Sequence, residues 1–244
     1  MPANLRILRH CAYCELVHRF FTPLLKRLYV LLAAFLVVYW SFQLIWRSEW
    51  HKERLYQQLV SGGHQGRFSA ALVLVDLSAQ RQLLRALRTD SFTVRKIASS
   101  ALWDIWYHAA GEDAFERVQV VLTAMEFHDY PRALKLADQL LEIYPGFPEA
   151  WNRRATLLWQ MGRYEESIAD CHRVLALNPN HFAAWQGMGL CQLHLGEVHH
   201  AIRSLRSAQR ISPHDRSTQR LLEECLEYER THPRLSAHPS DLKA

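Results

Sequence analysis

Residues 151–179, WNRRATLLWQMGRYEESIADCHRVLALNP, and residues 185–213, WQGMGLCQLHLGEVHHAIRSLRSAQRISP, repeat one pattern at an interval of 34 residues. The same interval separates Pro145, Pro179 and Pro213, and it relates Gly162 to Gly196 and Tyr130 to Tyr164. Each copy falls into two apolar stretches of spacing three and four, the mark of helices with one buried face. The glycine between them ends a first helix, where a positive φ costs glycine least. The proline ends the second helix and turns the chain into the next copy. Small residues at matching places let the two backbones approach closely: Ala155 and Gly189 in the first helices, and Ala133, Ser167 and Ala201 in the second. One such pair cannot bury its own apolar face, so the copies must stack.

This unit resembles the tetratricopeptide repeat, a pair of antiparallel helices. The family's aromatic near the start of the first helix corresponds to Trp151 and Trp185, and its small residue four positions later to Ala155 and Gly189. Its small residue early in the second helix corresponds to Ala133, Ser167 and Ala201, and its closing proline to Pro145, Pro179 and Pro213. The first copy, roughly 114–147, departs most, with Arg117 at the aromatic position and Val121 at the small one. The resemblance implies an all-α fold: a right-handed solenoid of three helical hairpins over 112–213. Residues 214–230, HDRSTQRLLEECLEYER, follow as a polar-faced capping helix, and 231–244 as a flexible tail.

Upstream, residues 83–106 read LLRALRTDSFTVRKIASSALWDIW. The order of Asp90, Val94, Arg95, Ala98, Ala101 and Leu102 resembles the second half of a HEAT unit, and predicts a helical hairpin over 68–111. Asp90 or Ser91 would cap its second helix, with Val94, Ala98, Ala101 and Leu102 facing inward. Residues 47–60 read as a helix broken by Ser61, Gly62, Gly63 and Gly66, so 47–67 is expected to link this body to what precedes it.

What precedes it is LYVLLAAFLVVYWSFQLIW at 28–46, nineteen residues without a charge. At about 1.5 Å per residue it spans roughly 30 Å, the thickness of a hydrocarbon core. Tyr39, Trp40, Phe42, Trp46 and Trp50 gather at its far end, as in an interfacial belt. No small-residue cleavage site follows, so an uncleaved single-pass anchor is expected, after a membrane-adjacent segment over 1–27. Arg6, Arg9, Arg19, Lys26 and Arg27 before it, against Arg47, Lys52 and Arg54 after it, place the N-terminus inside and the repeat body outside.

Charge is divided along the chain. Residues 1–111 hold 14 Lys and Arg against 6 Asp and Glu, whereas 112–244 hold 15 against 18. A uniformly basic nucleic-acid-binding body is thereby disfavoured, and nucleic acid is not the expected partner. Catalytic patterns are missing: there is no HExxH among the 14 His, no P-loop and no GxSxG. Gly187 and Gly189 open a GxG whose third glycine position is Gln192, inside a repeat helix. Cys11, Cys14 and His18 are spaced as half of a metal site without a second ligand pair nearby. Cys171 and Cys191 fall on inward helix positions and read as packed thiols. No metal, cofactor or enzymatic activity is expected.

Function is therefore sought in the groove that the first helices of such repeats line. By analogy with the family its residues are Phe115, Val118, Leu122 and Met125 in the first copy, Asn152, Thr156, Trp159 and Gln160 in the second, and Gln186, Leu190, Leu193 and His194 in the third. Some family members grip a partner's C-terminal carboxylate with Lys, Arg and Asn there. Here only Asn152 corresponds, and the mostly apolar set suits an amphipathic helix or extended segment of a partner protein. The alternative is that the chain's own preceding helix, with Trp103 and Trp106, fills part of the groove. A basic strip at Arg203, Arg206 and Arg210, with Arg216 and Arg220 beyond it, points away from core positions 201, 205 and 208. It offers a second reading, electrostatic binding of RNA or anionic lipid.

Overall fold

The computed structural model describes residues 12–232, and among them every regular element is an α-helix. Cys11 and the tail beyond His232 lie outside the described residues, and residues 14 and 18 fall on the first helix. The chain divides after Lys52 into two compact units.

The first unit is dominated by α1 (Ala12–Trp46), one unbroken helix of 35 residues that contains the apolar stretch. Leu25–Trp46 is long and apolar enough to cross a membrane, and none of it is buried. The division falls within α2 (Glu49–Ser61).

The second unit opens on three helices, α3 (His64–Asp76), α4 (Gln80–Ala86) and α5 (Phe92–Tyr107). Ser91, one of the two caps the sequence offers, caps α5, its hydroxyl accepting from the Val94 N–H. Val94, Ala98, Ala101 and Leu102 are buried against Leu74, Leu83 and Leu87, with Leu55 and Leu59 of α2 in the same cluster. The helix preceding the cap is short, seven residues, and the Thr89 hydroxyl donates to the Ala86 carbonyl at its end at 2.9 Å.

Three hairpins follow: α6 (Glu112–Glu126) with α7 (Tyr130–Ile143), α8 (Pro148–Gln160) with α9 (Tyr164–Leu177), and α10 (Phe182–His194) with α11 (Val198–Ile211). A last helix, α12 (Arg216–Thr231), packs on α11. Gly162 and Gly196 turn between their helices at φ 74° and 76°. His128, one repeat earlier, adopts φ 58° without glycine's freedom, which explains why the first copy is hard to read from sequence. Ala133 and Ala201 are fully buried, and a Cβ added to Gly189 would sit 2.9 Å from Leu205 Cγ. The small residues are thus required by contact between the paired helices.

A further device ties each hairpin to the next. The indole N–H of Trp151 donates to the Pro145 carbonyl at 2.9 Å, and that of Trp185 to the Pro179 carbonyl at 3.0 Å. Gln219 of α12 makes the same bond to the Pro213 carbonyl at 2.7 Å. Residue 219 lies 34 positions after Trp185, so the capping helix continues the repeat phase with an amide in place of the indole. Arg154 clamps neighbouring hairpins, donating to Asp170 of α9 (2.8 and 2.7 Å) and Asp138 of α7 (2.7 Å); these bonds raise its pKa further.

Candidate functional site: a half-closed repeat groove

The first helices α6, α8 and α10 touch in sequence and form one surface. Along each helix this surface changes character. At the N-terminal ends it is occupied. Phe115 stacks on His108 at 4.3 Å and meets Tyr107 edge-on. Asn152 is buried, its amide donating to the Glu149 carboxylate at 3.0 Å, and Gln186 donates to the Ser217 hydroxyl at 3.1 Å.

Glu149 and His181 are both 0% exposed and joined at 3.1 Å. The Ala184 N–H donates to His181 Nδ1, so the ring proton sits on Nε2 and is donated to the glutamate. Arg153 also donates to Glu149, at 2.6 Å. Burial alone would raise the glutamate's pKa. The bonds from His181 and Asn152 and the charge of Arg153 outweigh it and hold the pKa below the ordinary value, so the carboxylate is ionised in the core.

Over this cluster lies α5. Trp106 stacks on the His181 ring at 4.6 Å, while Trp103 meets His181 and Phe182 edge-on at 5.5 and 5.8 Å. The Arg153 guanidinium sits 5.6 Å above Trp103 and 5.5 Å above Tyr107. The chain's own α5, through the two tryptophans named from sequence, covers the N-terminal ends of α8 and α10.

The C-terminal halves of the same helices are not covered in this way. Leu122 and Met125 of α6, Thr156 and Trp159 of α8, and Leu190 and Leu193 of α10 are half-buried, and Gln160 and His194 are exposed. His194 stacks flat on Tyr164 at 4.5 Å and lies 6.3 Å from Trp159. The Trp159 indole nitrogen is buried and has no hydrogen-bond partner among the described residues. Val118, expected in the groove, is instead fully buried among Ala114, Leu140 and Phe147.

Comparison with known proteins agrees with this architecture. Residues 148–181, α8 and α9 with their connections, match the family model described as tetratricopeptide repeat. The chain carries tetratricopeptide repeats. A TPR repeat-containing protein of Rhizobium etli is 35% identical over 39% of this chain and 47% of its own length. Tetratricopeptide repeat protein 33 of Mus musculus is 30% identical over 34% of this chain and 32% of its own length. The chain thus spans less than half of either relative. Among solved structures, the first TPR of Spaghetti (RPAP3) bound to an HSP90 peptide aligns with TM-score 0.46 and 16% identity, covering 47% of this chain and 91% of that one.

On the outer side of the tetratricopeptide repeats, Arg203, Arg206 and Arg210 are exposed along α11, opposite buried Ala201, Leu205 and Ala208. None of the three forms a salt bridge among the described residues. Cys171 and Cys191 lie in the interior, where burial pushes the Cys171 thiol up to about 12 and raises that of Cys191. Both remain protonated at neutral pH and serve as packing. Among the described residues no three His, Cys, Asp or Glu side chains converge as a metal site.

The Glu149–His181 cluster escapes sequence reading. Glu149 looks like an ordinary first-turn acid and His181 like a turn residue, and 32 residues separate them. A local hint exists in the three- and four-residue spacing of Glu149 from Asn152 and Arg153, but it does not identify the histidine.

Proposed function

We propose that this chain is a membrane-anchored scaffold whose tetratricopeptide groove, over the C-terminal halves of α6, α8 and α10, holds an apolar segment of a partner protein during assembly of a membrane complex. The row of half-buried apolar side chains, Leu122, Met125, Trp159, Leu190 and Leu193, beside exposed Gln160 and His194, carries this reading. Those side chains offer apolar contact to a partner segment, with the polar ends of Gln160 and His194 at its edge.

The anchor assignment rests on α1. A helix that is apolar all round, with exposed side chains such as Leu28, Tyr29 and Leu44, requires either a protein core or a bilayer around it. A bilayer over 28–46, with the repeat body outside, satisfies it. Tethering raises the partner's local concentration at the membrane, so modest groove affinity suffices. No catalytic role is needed.

The test is affinity capture of the full-length chain from cross-linked membranes in mild detergent, beside a Trp159→Glu/Leu193→Glu variant. A small set of proteins should accompany the wild type and be lost from the variant, with far-UV circular dichroism unchanged. Gln160→Arg, at an exposed position, keeps the test informative should the double variant unfold; it should weaken capture several-fold. Capture that is the same from all three proteins refutes the groove assignment.

A further inference from the structure

The fold brings together cations that are far apart in sequence. A cleft of about 950 Å³ opens between α5 and the turn leading into α12. Arg95 and Lys96 line one wall and Arg216 the other, with Leu87, Phe92 and Trp103 between them. Arg95 is held in place, its Nη1 donating to the carbonyls of Thr89 and Asp90 at 2.8 and 2.6 Å, which leaves Nε and Nη2 without a partner among the described residues. Lys96 and Arg216 are exposed and form no salt bridge or hydrogen bond there. Ser99 and Ser100 also line the cleft.

Opposing charge is scarce. The Asp215 carboxylate is engaged in capping α12 through the Thr218 N–H and hydroxyl, and Asp90 stands 3.9 Å from His214. A second recess of about 350 Å³ adjoins this corner, carrying Arg81 and Arg88 beside Ile211. Arg88 donates to the Arg210 carbonyl at 2.8 Å and so ties α4's end to α11. The seam is therefore basic, with free N–H donors, and carries apolar surface from Leu87, Phe92 and Trp103.

From this seam we infer a second binding site, independent of the repeat groove, that takes an acidic peptide segment bearing an apolar or aromatic side chain. Carboxylates would pair with Lys96, Arg216 and the free edge of Arg95, and the apolar side chain would rest on Phe92 and Trp103. The cations surround a recess, which a bilayer surface cannot enter. Duplex nucleic acid needs its cations along a line, whereas these line the walls of a recess. The acidic segment is the ligand whose shape and charge both fit.

Fluorescence anisotropy of the full-length chain in neutral detergent tests this, with fluorescein-labelled Glu-Glu-Asp-Phe-Glu-Asp-Glu as probe. Lys96→Glu/Arg216→Glu, both at exposed positions, should weaken binding by about tenfold or more, because like charges replace attractive pairs. A probe with Ser in place of Phe should bind several-fold more weakly. The Trp159→Glu/Leu193→Glu variant should bind the probe like wild type, so failure of the groove reading leaves this site standing. The proposal is overturned by absence of saturable binding, by equal affinity of the charge-reversed variant, or by equal or tighter binding of octathymidylate. Loss confined to the groove variant also overturns it, and assigns the acidic segment to the groove.

Discussion

The two ends of the first helices in this solenoid share a repeat phase and have opposite surroundings. At their N-termini, Phe115, Asn152 and Gln186 are engaged by the chain itself, and an ionised Glu149 is closed off beneath Trp106. At their C-termini, Trp159 is only half-buried and Gln160 remains exposed. The difference teaches that a flanking helix can shorten a repeat groove, leaving half of it for a partner. Trp106→Ala attacks the closed half directly. Truncating a large aromatic that is 3% exposed should cost about 3–5 kcal/mol in denaturant unfolding of the full chain. A cost below about 1 kcal/mol would mean that α5 rests on the repeats only loosely.

Glu149→Gln probes the polar layer under that tryptophan and should cost less, about 1–3 kcal/mol, since shape is kept while a charge-assisted bond is weakened. It also sharpens the comparison through pH. The folded-state pKa of Glu149 lies below its ordinary 4.5, so its ionised form contributes stability that is fully present above pH 4.5. That contribution is lost as pH falls through the folded value. Wild type should therefore lose stability below pH 4.5 more steeply than Glu149→Gln, measured as the unfolding midpoint in parallel pH series. Parallel curves would show that the carboxylate's charge does not support the closed half.

How far these features are legible in sequence follows from the range of the interactions. The hairpins are legible because each obeys local rules repeated at a fixed interval: small residues where helices touch, glycine at a positive φ, proline at a helix end. The cap on α5 is legible for the same reason, since Ser91 and Val94 are three residues apart. The first copy is harder, because His128 takes the left-handed turn and Arg117, paired with Asp113, stands where the later copies have tryptophan. Groove positions chosen by repeat phase mark the right helices but do not distinguish Val118, fully buried, from exposed Gln160. That distinction depends on what covers each helix end, and contacts such as Trp106 on His181 span 75 residues with no periodic trace.

The smallest expected effect concerns the outer face of the solenoid, where both ends of the groove are remote. Arg203 and Arg206 are exposed, and neither forms a salt bridge among the described residues. Isolated surface charges of this kind contribute little to folding, so Arg203→Glu/Arg206→Glu should leave the unfolding midpoint unchanged. It should also leave partner capture by the groove within about twofold, because both side chains are exposed and stand opposite the buried face of α11. Titration with anionic vesicles and with single-stranded RNA at low and high salt completes the check. Salt-sensitive binding lost in this variant would give the α11 face a role of its own, and the contrast between groove ends would then describe only part of the molecule's recognition surface.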